Sequence, residues 1–66
     1  MSNEQRAIVL GEVTVSVNRL SRELTKTQAG LVINSHLSLR DRANIAQLAC
    51  DLMTESSRLM AAIVSE

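Results

Sequence analysis

From Ser38 to Val64 the apolar positions fall into two parallel lines rather than one. Ile45, Leu48, Leu52, Leu59 and Ile63 step by three or four residues apart from one gap, where Ser56 sits. Leu39, Ala46, Cys50, Met53, Met60 and Val64 run beside them, interrupted by Ser57. A helix packed on one neighbour needs only about 100° of apolar surface, so this doubled arc predicts contacts on two sides. One contact is expected inside the chain and the other with a second chain.

The first half of the chain carries a single, narrower seam. Leu10, Val13, Val17, Leu20 and Leu24 alternate steps of three and four, the spacing of a helix packed on one partner. Ser2 or Asn3 is placed to cap this helix by accepting a hydrogen bond from an otherwise unpaired amide. Gly30 supplies a stop, since glycine reaches the left-handed conformation that commonly ends helices, although helix 1 running on through Ile33 is the other option. Ser38-Leu39-Arg40-Asp41 reads as a capping box for a second helix. The pattern thus predicts an all-α fold: one domain over 1–66, a two-helix antiparallel hairpin that dimerises into a four-helix arrangement. Helix 1 is expected at about 4–30, a connector at 31–37 and helix 2 at about 38–64. In that connector Leu31, Val32, Ile33 and Leu37 are expected to lid one end of the core.

Size sharpens the expectation of a dimer. A chain of 66 residues buries only roughly 60% of its unfolded surface and is marginal alone. One cysteine cannot close an internal bridge and one histidine cannot build a zinc site, which leaves oligomerisation as the means of stabilisation. There is no Phe, Trp or Tyr, so the core must be aliphatic, which suits close helix packing better than a deep ligand pocket.

Acidic and basic residues number seven each, so net charge offers nothing to nucleic acid or an anionic membrane. Their placement is uneven. Arg19 to Arg42 holds five basic residues against two acidic, a charge of +3, and the remainder of the chain carries −3. A hairpin would therefore be positive near its turn and negative near its termini. Ala7 to Leu10 is too short for an apolar targeting core, and the longest apolar run, Leu59 to Val64, is far below a membrane span. A soluble, cytoplasmic protein is expected.

One segment pulls the other way. Glu12-Val13-Thr14-Val15-Ser16-Val17 alternates polar and β-branched residues and by itself reads as a strand. A short strand followed by two helices, paired across a dimer, resembles the ribbon-helix-helix family of transcriptional repressors over Glu12 to Met53. The resemblance implies that Thr14, Ser16 and Asn18 contact bases in the major groove while Val13, Val15 and Val17 face the core. DNA-binding repression is accordingly the alternative to the helical hairpin.

No catalytic, metal or nucleotide motif stands out, and neither an enzyme nor a cofactor is expected. Cys50 lacks a cationic neighbour in sequence that would activate its thiol and reads as a small packed residue. His36 reads as a polar loop residue. The dimer or partner interface is expected at Ile8, Gly11 and Val15 on helix 1 and at Ala46, Cys50, Met53, Met60 and Val64 on helix 2. A basic group, Arg19, Arg22, Lys26, Arg40 and Arg42, is the candidate for electrostatic docking. The expected function is a small regulatory protein that binds and inhibits a larger protein through helix surfaces, with a chaperone or adaptor role as a second alternative.

Overall fold

A computed structural model describes residues 1–64 as two α-helices, α1 (Asn3–Asn34) and α2 (Leu39–Val64), folded into an antiparallel hairpin. At 1.5 Å per residue the 32 residues of α1 account for the whole 48 Å long axis of the molecule. The other two extents are only 15 and 12 Å, so the hairpin is a rod two helices wide and one helix thick.

Local hydrogen-bond chemistry sets both helix starts. The Ser2 hydroxyl accepts from the Gln5 amide while the Gln5 side chain accepts from the Ser2 amide, a reciprocal capping box. At α2 the Asp41 amide donates to the Ser38 hydroxyl, and the Asp41 carboxylate accepts from the Ser38 amide. Aspartate thus closes the second box despite its shorter side chain.

The end of α1 differs from the expectation. Gly30 is not a stop: the helix runs to Asn34, and Ser35 takes the left-handed conformation (φ 59°), its amide donating to the Leu31 carbonyl. Continuation brings half-buried Leu31 onto the packed side of the hairpin, which offsets the ~1 kcal/mol helix penalty of glycine. It also turns Val32 and Ile33 outward, so they are strongly exposed and do not lid the core; Leu37 is exposed as well. The connector between the helices shrinks to residues 35–38.

Residues 12–17 are helical, which overturns the strand reading and with it the scaffold on which the ribbon-helix-helix resemblance depends. A lone alternating strand needs a neighbour to pair with. As a helix the same segment buries Val13, half-buries Ser16 and leaves Val15 outside. Its threonine is satisfied within the helix: the Thr14 hydroxyl donates to the Leu10 carbonyl at 2.7 Å, as Thr25 and Thr27 do to the carbonyls of Ser21 and Glu23 further along.

The interhelical core is thin. Among the described residues its buried apolar members are Val13, Leu20, Leu48 and Ala62, joined by one buried carboxylate, Glu55. Leu48, Glu55 and Ala62 follow one another at seven-residue intervals, so the inner line of α2 passes through Glu55. The anticipated seams are only partly in contact. On α1 the exposure of Leu10, Val17 and Leu24 is 38–48%; on α2 Leu52 and Ile63 are exposed while Ile45 and Leu59 are half-buried. The packed side of α1 is rotated toward half-buried Val9, Ser16 and Thr27.

Candidate protein-interaction surface

Two polar links fix how the helices face one another. Arg58 donates through Nη2 to Glu12 across the hairpin and through Nη1 to Glu55 one turn earlier, at 3.2 Å. Arg6 Nε donates to the Ala62 carbonyl at 3.0 Å. Toward the turn, Glu23 and Thr27 line a shallow cleft with Asn44, Gln47 and Leu48. At about 200 Å³ this cleft falls below the roughly 300–1,000 Å³ of ordinary ligand pockets.

These contacts place Glu12, Glu23 and Thr27 on the same side of the rod as Asn44, Gln47 and Arg58. Helical spacing then puts the opposite flanks together. Leu10, Val17 and Leu24 of α1 share the other side with Ile45, Leu52, Leu59 and Ile63 of α2. The hairpin therefore has one polar side, bridged by the Glu12–Arg58 ion pair, and one lateral side lined with branched aliphatic residues.

The second seam of α2 lies on a third surface. Leu39, Ala46, Cys50, Met53, Met60 and Val64 are all exposed, with Met53 at 70% and Leu39 at 85%. Cys50 is thus not packed within the hairpin; its thiol is free and exposed. The outer seam and the lateral side adjoin, because Ile63 and Met60 are neighbours around the helix. Together they give α2 an apolar arc on which α1 covers only one edge.

On α1 the apolar group near the termini and the basic group near the turn lie on one face. Ile8, Gly11, Val15, Arg19, Arg22 and Lys26 follow one another at steps of three or four, so they form one outward line, apolar near the termini and basic near the turn. All six are exposed. A Cβ built at Gly11 meets nothing within 4 Å, so no part of the hairpin requires glycine there. Lys26 pairs with Glu23 at 3.4 Å. Arg42 lies near Leu39 and Ala46 on the outer surface of α2, whereas Arg40 is turned toward the polar side; both are exposed.

Sequence reasoning missed the Glu12–Arg58–Glu55 group and the buried Ala62. The available signal was the gap in the first seam of α2, where the inner position proves to be Glu55. His36 is exposed in the connector, with Nδ1 3.1 Å from the Asn34 carbonyl oxygen, as a polar loop residue. Among the described residues no cluster of His, Cys, Asp and Glu has the makings of a metal site, and no helix is long and apolar enough to cross a membrane. No protein-family model, curated protein or solved structure matches the chain.

Proposed function

We propose that this chain is a small, non-enzymatic, cytoplasmic regulator that self-associates into a four-helix arrangement and inhibits a larger protein by laying a helix against it. The observation that carries this reading is the exposed outer seam of α2, Leu39, Ala46, Cys50, Met53, Met60 and Val64. Contiguous exposed apolar surface is a hallmark of binding sites, and an amphipathic helix docks into a hydrophobic groove through anchors spaced in this way. Methionine suits the role, since its unbranched, polarizable side chain adapts to irregular partner surfaces. Arg19, Arg22, Lys26, Arg40 and Arg42 favour an acidic rim on the partner, where exposed charges act on encounter more than on stability.

The test is affinity capture from the source cells with the parent and with Met53→Asp and Met60→Asp. A carboxylate on the outer seam stays hydrated in the free hairpin and is costly in an apolar groove. The expected result is one discrete protein, inhibited by the parent in a purified assay and lost with both variants, while their helicity matches the parent. Equal capture and inhibition by parent and variants would refute the assignment. A captured protein that is protected from aggregation rather than inhibited would move the reading to a chaperone.

A further inference from the structure

The lateral apolar side of the hairpin has a geometry that selects its occupant. Leu10, Val17 and Leu24 are spaced seven apart on α1, and Ile45, Leu52 and Leu59 are spaced seven apart on α2. Val17 lies near the middle of Asn3–Asn34 and Leu52 near the middle of Leu39–Val64. The Glu12–Arg58 pairing and the Arg6–Ala62 contact set the register of the hairpin, and by the same count Val17 falls opposite Leu52 and Met53. The Leu10–Val17–Leu24 and Ile45–Leu52–Leu59 heptads are therefore each symmetric about the midpoint of the rod, with Ile63 extending the α2 ridge beyond them toward the termini. A surface of that kind is self-complementary under a two-fold axis, as an isologous interface requires.

Area points to an occupant of the same size. A compact monomer of 7.2 kDa is expected to expose about 4,100 Å². The hairpin exposes 5135 Å², an excess of about 1,000 Å² over that scaling. A stable interface removes about 800 Å² from each partner, so a second hairpin laid on the lateral side supplies the missing burial. Charge then decides its orientation. The part of the chain from Arg19 to Arg42 carries +3 and the rest −3. With turns at the same end, like charges would meet at both ends; with turns at opposite ends, each positive end meets a negative one.

We infer that a second copy of this chain packs on the lateral side with its turn at the opposite end. The two-fold axis passes through Val17 and Leu52, so that α1 lies on α1 and α2 on α2. This rests on the self-association proposed above and specifies its face and direction. Val17 meets Val17 of the partner subunit and Leu52 meets Leu52 of the partner subunit. Leu10 meets Leu24 of the partner subunit, and Ile45 meets Leu59 of the partner subunit. The outer seam of α2 stays free in this arrangement.

Thiol cross-linking tests it. In a Cys50→Ser background, Val17→Cys, Leu52→Cys and the outward Val15→Cys and Met53→Cys are oxidised separately, and Leu10→Cys is mixed with Leu24→Cys. The expected result is a covalent dimer from Val17→Cys, from Leu52→Cys and from the mixed pair. Dimer should form roughly tenfold or more faster than from the outward variants, because paired thiols share a millimolar effective concentration. A short bis-maleimide used in parallel removes the geometric demands of the disulfide. Fast cross-linking of mixed Val17→Cys and Leu52→Cys without either self-pair would place the turns together and overturn the orientation. Fast cross-linking only through Met53→Cys would leave self-association standing and overturn the lateral face. No dimer from any variant, by either chemistry, would overturn both.

Discussion

At the scale of single residues the least expected feature is a carboxylate on the inner line of α2. Glu55 occupies the position between Leu48 and Ala62 where an aliphatic side chain would extend the core, and it is held there by Arg58. Arg58 in turn reaches Glu12, whose side chain is exposed. Burying a charge costs more than a partly exposed ion pair returns, and the Glu55–Arg58 bond lies within one helix, so Glu55 is expected to add little net stability. Replacing it with an apolar residue of similar volume removes the desolvation cost and leaves Arg58 its bond to Glu12. Glu55→Leu is expected to stabilise the fold by about 1 kcal/mol. For a domain of this size that raises Tm by about 4–8 °C. Thermal denaturation followed by circular dichroism checks it; a lowered Tm would mean that the Glu55–Arg58 bond contributes more than its burial costs. This pairing was illegible in the sequence because Glu12 and Arg58 lie 46 residues apart, and no local pattern announces a contact at that range.

Helix starts were the most readable elements, and helix ends the least. Ser2 and Ser38 are recognisable because a cap is a bond between residues three apart, written locally. Gly30 misled because its propensity is a small term, outweighed once Leu31 finds a place on the packed side. The helix instead ends at Ser35, which adopts a positive φ that side chains other than that of glycine resist. Ser35→Gly is therefore expected to stabilise the hairpin by about 1 kcal/mol, read as a shift in the urea midpoint with unchanged slope. The segment at 12–17 misled for a related reason: its strand-like alternation is real, but the helical positions of Val13 and Leu20 place them in the core. Gly11 offers a second test on the same helix. Nothing in the hairpin would touch an added methyl group there, so Gly11→Ala should stabilise by about 0.5–1 kcal/mol. A loss of stability would instead reveal a close crossing with another chain at Ile8, Gly11 and Val15.

The molecule as a whole is a rod with a polar side, an apolar lateral side and an outward line on each helix, and that division was partly legible. The doubled seam of α2 foretold more apolar surface than one neighbour covers, and the outer line from Leu39 to Val64 lies outside the hairpin as that pattern implies. The separation of a lateral side from an outer face was not legible, because it depends on how far α1 is rotated, which the ion pairs on the polar side reflect. A thin core beside a long apolar flank is the physical reason to expect a second molecule. Sedimentation equilibrium of the parent chain tests that expectation most directly. A helical species of twice the 7.2 kDa chain mass is expected at micromolar concentrations, dissociating with loss of helix on dilution. A folded, fully helical species at the single-chain mass throughout the same range would contradict it.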